Sequence, residues 1–157
     1  MHPIDVVLMK IGEEASEVAM VASQLAHLTF KSIRFGLESH HPTESSPEYT
    51  NNENLANTLL EVRKEMLDLE ASVLLLSALQ EHYQLTQVRG LRPLAAITEK
   101  DTVYTRTECM IMSRKLTAYG SFLTVSVDRG LLAEADHQAI LTAIDFLKNG
   151  ILAIPCE

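Results

Sequence analysis

Three glutamates, Glu13, Glu14 and Glu17, lie close together in a long N-terminal run of helix-forming residues. If residues 4–35 form an α-helix, Glu14 and Glu17 lie about 60° apart around its axis and less than one turn apart along it. Like charges at this spacing repel one another, and they flank an apolar stripe suited to burial. The arrangement therefore predicts that these carboxylates face a cation. The stripe consists of Ile4, Val7, Leu8, Ile11, Ala15, Val18, Ala22 and Leu25.

A second pair of carboxylates, Glu65 and Asp68, repeats this spacing in another segment of helical period. If the two segments form an antiparallel hairpin, this pair can converge with Glu14 and Glu17 on one pocket. Four oxygen ligands without histidine or thiolate suit a hard divalent cation, Mg²⁺ or Mn²⁺. Glutamates at helical spacing are also common on solvated surfaces. The residues alone thus leave a structural role open beside a metal centre.

Four helix-period segments are available to position these carboxylates. They span about residues 4–34, 54–83, 102–127 and 133–148. The second has an apolar seam that is expected to face inward, formed by Leu55, Leu59, Val62, Met66, Leu69, Val73, Leu76 and Leu79. The expected inward positions of the third include Met112, Leu116, Tyr119, Leu123 and Val127. Gly36 is expected to end the first helix in the left-handed conformation, and Asn54 to cap the second. A glycine inside the first helix, Gly12, is expected to allow close approach of another helix or a ligand. With 157 residues, 46% of them hydrophobic, we predict a single all-α domain over 1–157, a four-helix bundle.

The composition excludes several classes of partner and location. The net charge is −8 and the 13 Lys and Arg residues are scattered, so no basic surface for a nucleic-acid polymer is expected. Cys109 and Cys156 are too few for a disulfide framework and are expected to be two reduced thiols, one in the core and one in the tail. The N-terminus does not resemble a signal peptide, and no apolar run is long enough for a membrane span. These features predict a soluble, cytoplasmic protein.

The acidic motifs resemble the EExxE…ExxD signature of the MazG-like, all-α nucleoside triphosphate pyrophosphohydrolases. The first motif is Glu13-Glu14-Ala15-Ser16-Glu17 and the second is Glu65-Met66-Leu67-Asp68. The segments Ser32-Ile33-Arg34-Phe35-Gly36-Leu37 and His41-Pro42 are similar to the RFGL…HP region of a subgroup often found in bacteriophages. Ser113-Arg114-Lys115-Leu116, with Tyr119, occupies the place of that subgroup's basic third helix. The resemblance covers most of residues 4–130.

Two features depart from the family pattern. The 47 residues between Glu17 and Glu65 form a longer gap than usual, and residues 36–54 account for the excess. Met66 and Leu67 stand where a small residue commonly precedes the aspartate, which bears on the choice of substrate more than on metal binding.

The resemblance implies cleavage of an NTP or dNTP between its α and β phosphates to a nucleoside monophosphate and pyrophosphate. Mg²⁺, or Mn²⁺ as a substitute, would be held by Glu14, Glu17, Glu65 and Asp68, would neutralise phosphate charge and would activate the attacking water. Either Glu13 or Glu14 would accept that water's proton. The resemblance also implies a homodimer or homotetramer.

Basic side chains are needed for the remaining negative charge of a triphosphate. Lys31, Arg34 and Lys115 are expected to approach the acidic end of the bundle, although each also suits a surface position with its aliphatic stem packed against the protein. His41, in the loop after the first helix, is a further candidate for substrate contact. These four residues are the predicted substrate-binding set.

Two other readings remain open at this point. A di-iron carboxylate bundle needs a Glu-x-x-His motif on each of two helices. Such motifs occur at Glu38-Ser39-His40-His41 in a predicted loop and at Glu134-Ala135-Asp136-His137 near a helix start, apart from the acidic quartet. A helical binding or structural protein that no longer uses its carboxylates is the second alternative.

Overall fold

The structure, a computed structural model, describes residues 1–40, 49–83 and 104–156. The helices in chain order are α1 (Pro3–Phe35), α2 (Asn51–His82), α3 (Arg106–Asp128) and α4 (Glu134–Leu152). These four helices are all the regular secondary structure in the described ranges, which confirms for that part of the chain the predicted all-α class. His41 and the predicted connector at 84–101 lie outside these ranges. None of the described helices is sufficiently long and apolar to cross a membrane.

The connection between α1 and α2 starts at the predicted residue, Gly36, and α2 begins earlier in the chain than predicted. Gly36 has φ 91° and follows α1 directly, which confirms its left-handed role. The start of α2 is Asn51 because Thr50 and Glu53 form a capping box: the Glu53 amide donates to Thr50 Oγ1 at 3.2 Å, and the Thr50 amide donates to Glu53 Oε2 at 2.7 Å. The prediction that Asn54 caps α2 was therefore wrong by one turn.

The two C-terminal helices also depart slightly from their predicted bounds. A capping box between Thr105 and Glu108 starts α3 four residues later than predicted. At the other end, α4 continues past Asn149 and Gly150 to Leu152. A glycine inside a helix costs only about 1 kcal/mol, and the complete burial of Ile151 offsets this cost.

The described chain divides into two compact units, of which the first is Met1–Glu14 with Leu67–Glu157. This unit contains the whole hydrophobic core cluster. Four of the five predicted inward positions of α3 are buried, and the fifth, Val127, is partly buried; the four are Met112, Leu116, Tyr119 and Leu123. On α2, the core side chains include Leu67, Leu75 and Leu79; those of α4 are Ile140, Ile144, Leu147 and Ile151.

The second unit, Ala15–Met66, is a helical hairpin with little interior of its own. Its buried residues within the described part of the chain are Val21, Ser32, Asn51 and Glu65, of which only Val21 is apolar. Leu59 and Met66, predicted to lie on the inward seam of α2, are about half exposed. That part of the seam prediction was wrong because helical periodicity identifies an apolar face without identifying what covers it.

Exposed apolar side chains are concentrated on this second unit. Its large exposed hydrophobic residues are Met20, Phe30, Ile33, Phe35, Leu37, Tyr49, Leu59, Leu60 and Met66. Contiguous exposed apolar surface on a soluble protein commonly marks an interaction surface.

Gly12 was expected to allow close approach of another helix or a ligand, and none of the described helices approaches it. A Cβ atom built on Gly12 meets no atom within 4 Å among the described residues. The glycine thus weakens α1 without a packing reason in this part of the chain.

Replacing Gly12 with alanine should raise the free energy of unfolding by about 0.5–1 kcal/mol, because alanine loses less backbone entropy in a helix. Equilibrium denaturation by urea measures the change. Gly120→Ala is the matched control, since its Cβ would lie 3.4 Å from Leu141 Cδ2 in a packed interior and should gain less. A destabilised Gly12→Ala protein would show that something does approach this position.

Candidate metal centre

The three N-terminal glutamates point in different directions from α1. Glu14 is only 3% exposed because it lies on the same face as Val7 and Val21, seven residues to either side. Glu13 is exposed and pairs with Lys10 one turn earlier. Glu17 is exposed. The face that α1 buries therefore carries a carboxylate between two valines.

On α2, both motif carboxylates are buried. Glu65 is 8% exposed and Asp68 6% exposed. The same face of the helix continues at Ser72, which is fully buried. Leu67, between the two carboxylates, enters the core. Because Leu67 packs in the core, the carboxylates on either side of it are also buried.

The structure brings three of the four predicted metal ligands together. One carboxylate oxygen from each of Glu14, Glu17 and Glu65 lies within 4.8 Å of the others. Among the described residues, Glu14 Oε2 and Glu65 Oε2 are buried without a hydrogen-bond partner. A buried carboxylate oxygen that lacks a donor is costly, and a cation would satisfy it. The clustered oxygen ligands fit a hard divalent ion, and the metal-binding part of the prediction is supported to that extent.

The fourth predicted ligand, Asp68, meets the cluster through a lysine. Lys115 Nζ lies 2.8 Å from Glu14 Oε1 and 3.6 Å from Asp68 Oδ2, and its side chain is 22% exposed. All three residues belong to the unit that holds the hydrophobic core. Lys115, predicted to bind phosphate, is therefore placed against the carboxylates, where it neutralises part of their charge.

Tyr119 lies one turn beyond Lys115 on α3 and is also buried. Burial raises the pKa of its phenol far above the usual range, and the nearby charge of Glu14 raises it further. The hydroxyl is buried near Glu14 and Ser72, and it has no hydrogen-bond partner among the described residues. From the sequence we expected Tyr119 only to face inward, although its spacing of four residues from Lys115 indicates a shared face.

A second lysine near the cluster was missed from the sequence. Lys64 Nζ lies 3.0 Å from Glu65 Oε1 and 3.9 Å from Glu61 Oε2. The i, i+3 spacing of Glu61 and Lys64 was the available signal. The Lys64 side chain is half exposed, so it contacts the buried Glu65 from the side that faces solvent.

Lys31 and Arg34 do not approach the acidic cluster of their own chain, which corrects the prediction. Because α1 is continuous, they lie about 21 Å and 26 Å along the helix from Glu17. These spans greatly exceed the length of either side chain. Together with His27, Phe30 and Phe35, they line an open surface pocket of about 270 Å³.

The Glu-x-x-His motif on α4 is formed by Glu134 and His137, and His137 contacts both Glu134 and Thr124 of α3. His137 Nδ1 lies 3.7 Å from Glu134 Oε1, and its Nε2 lies 3.3 Å from Thr124 Oγ1. The group of possible metal ligands found among the described residues consists of three carboxylates and contains no histidine. This ligand set differs from the carboxylate and histidine set of a di-iron bundle.

Comparison with known proteins adds no relative. The chain matches no family model, no curated protein and no solved structure.

Lys115→Met should destabilise the metal-free protein by about 3–5 kcal/mol, because it removes a cation from beside the buried Glu14 and Asp68. Mg²⁺ should restore much of the loss and raise the melting temperature more than it does for the wild type, since it no longer competes with the ammonium group. Thermal melts in EDTA and in millimolar Mg²⁺ measure both effects. The exposed Arg114→Met on the same helix is the control. Equal melting temperatures with and without Mg²⁺ in both proteins would exclude a shared metal site.

Proposed function

We propose that this protein is a Mg²⁺-dependent nucleoside triphosphate pyrophosphohydrolase of the MazG-like type, acting in bacterial or phage-infected cytoplasm. It would cleave an NTP or dNTP between the α and β phosphates and release a nucleoside monophosphate and pyrophosphate. The observation that carries the proposal is the convergence of Glu14, Glu17 and Glu65, with two buried oxygens left without donors. These residues are members of the two acidic motifs on which the resemblance was based.

In this proposal Glu14, Glu17, Glu65 and Asp68 hold the cation. The ion would neutralise the phosphate oxygens and activate water for in-line attack at phosphorus. Glu14 has a second carboxylate oxygen that is buried and without a donor, so it can accept a proton from the attacking water. Glu13 is less well placed for this role, since it is exposed and paired with Lys10.

Lys115 has two roles in the proposed reaction. In the metal-free protein its ammonium group balances the charge of Glu14 and Asp68. If the carboxylates held a divalent cation, the Lys115 ammonium would be available to donate to phosphate oxygens near the cluster. The phenol of Tyr119 stays protonated because its pKa is raised, and it therefore remains a donor close to Glu14.

A second copy of the chain would supply the remaining positive charge. Lys31 and Arg34 cannot reach the acidic cluster of their own chain along α1, yet they lie on the unit rich in exposed apolar side chains. Pairing of this surface between copies would cover apolar groups, and it can bring the basic end of one α1 to the cluster of another chain. The proposed assembly is a homodimer or a homotetramer.

Glu14→Gln should lower kcat for pyrophosphate release by about 10²–10⁴-fold, because it removes both a metal ligand and the proposed proton acceptor. Glu13→Gln is the matched control, one residue away on the exposed side of α1, and should change kcat by only a few fold. The assay is Mg²⁺-dependent release of pyrophosphate, with the nucleotide product identified, across canonical and modified dNTPs and alarmone nucleotides. Release of orthophosphate with a nucleoside diphosphate would contradict the proposed bond cleavage, and full activity of Glu14→Gln would contradict the proposed site.

Mixing two weakly active variants should raise the activity above that of either one if Arg34 contributes to the site of another chain. Arg34→Ala and Glu14→Gln, each weakly active alone, should together form some assemblies in which one site contains both native residues. The measurement is the rate after the variants are unfolded and refolded as a mixture, compared with each refolded alone. A mixture no faster than the sum of its parts would place Arg34 outside the site.

A further inference from the structure

The two cysteines of this protein are neighbours in space, although 46 residues separate them in the sequence. Cys109 Sγ and Cys156 Sγ lie 3.6 Å apart. Cys109 belongs to the first turns of α3 and is 2% exposed. Cys156 follows α4 in the C-terminal tail and is half-buried. Both are free thiols in this structure.

We propose that Cys109 and Cys156 are a redox-modifiable pair that forms a reversible disulfide on reaction with a small-molecule disulfide such as oxidised glutathione. A disulfide bond needs the sulfur atoms to approach to about 2.05 Å, so they must close by roughly 1.5 Å. A small shift of residues 153–156, which follow the last turn of α4, can supply this closure.

The tail is held in position for this reaction by packing and hydrogen bonding. Ile154, two residues before Cys156, is part of the hydrophobic core. The Ile154 amide donates to the carbonyl of Ile151 at 3.2 Å, and Cys156 Sγ lies 3.4 Å from the carbonyl of Ile154. The pair therefore meets through tertiary packing of the tail on the helices, and not by chance contact of two mobile thiols.

The difference in exposure between the two thiols sets the order of reaction. Cys156 is reachable from solvent, so its thiolate attacks one sulfur of the oxidised reagent and releases one reduced thiol. Cys109 then attacks Sγ of Cys156, forms the protein disulfide and releases the second reduced thiol. Two protein thiols are oxidised, one reagent disulfide is reduced, and both thiol protons end on the released reagent thiols or in solvent.

The second step should be slow at neutral pH. Burial, together with the nearby Cys156 and Glu108, raises the pKa of Cys109 to about 11. Few Cys109 thiols are ionised at pH 7, and the thiolate is the attacking species. Closure should therefore become faster as the pH rises from 7 to 9.

The disulfide would close a loop that contains most of α3 and all of α4. Loop closure of this length lowers the entropy of the unfolded chain, so the oxidised protein should unfold at a temperature several degrees higher. Lys115 lies six residues beyond Cys109 on α3, so oxidation would also tether the helix that supplies the cation beside Glu14.

The experiment is incubation of the full-length protein with oxidised glutathione, followed by intact mass, peptide mapping and thermal melting. We expect loss of the mass of two hydrogen atoms and a cross-link between tryptic peptides 107–114 and 149–157. Reduction should reverse the change in mass and the rise in melting temperature. A stable glutathione adduct on Cys156 in the wild type, or two free thiols after prolonged incubation, would overturn the proposal.

Two variants separate the attacking thiol from the resolving thiol. Cys109→Ser should accumulate one glutathione adduct at Cys156, because no second thiol is present to displace it. Cys156→Ser should remain largely unmodified, because Cys109 is buried. If Cys156→Ser acquires the adduct as fast as Cys109→Ser does, the proposed order of attack is wrong.

Discussion

The contact between Lys115 and the carboxylates of Glu14 and Asp68 is the interaction on which the acidic cluster depends. It joins one residue from each of α1, α2 and α3 in the unit that also holds the hydrophobic core. Two carboxylates with less than a tenth of their surface exposed would be strongly destabilising without a nearby cation. The lysine makes their burial tolerable, and it leaves Glu14 Oε2 and Glu65 Oε2 without donors. Stability and the capacity to bind a metal are thus linked through the same charges.

The distribution of apolar surface gives the two units different properties. In the first unit, side chains from all four helices form one core cluster. In the helical hairpin of residues 15–66, the residue after α1 contacts the start of α2, since Asn51 Nδ2 donates to the carbonyl of Gly36 at 2.9 Å. That hairpin nevertheless exposes much of its apolar surface. Long helices that remain unburied on one face gain most of their stability from packing against other elements, which is the physical reason for proposing a partner chain.

Much of the fold was predictable from local signals. The left-handed Gly36, the run of helix formers and the inward face of α3 act over a few residues, so the sequence predicts them directly. The error at the start of α2 has a local cause, and the error at the end of α4 has a tertiary one. The capping box of Thr50 with Glu53 had a recognisable pattern, whereas the extension of α4 depends on the core contacts of Ile151.

The sequence by itself determined the spacing of the carboxylates and hence their pairing on helix faces, because helical geometry places residues three apart side by side. Only the tertiary structure decided that Glu14 is buried while Glu13 faces solvent, and that Lys115 neutralises the carboxylates. It also decided that Cys109 and Cys156 meet. These outcomes depend on contacts between segments distant in the chain, and helical period carries no information about which faces meet.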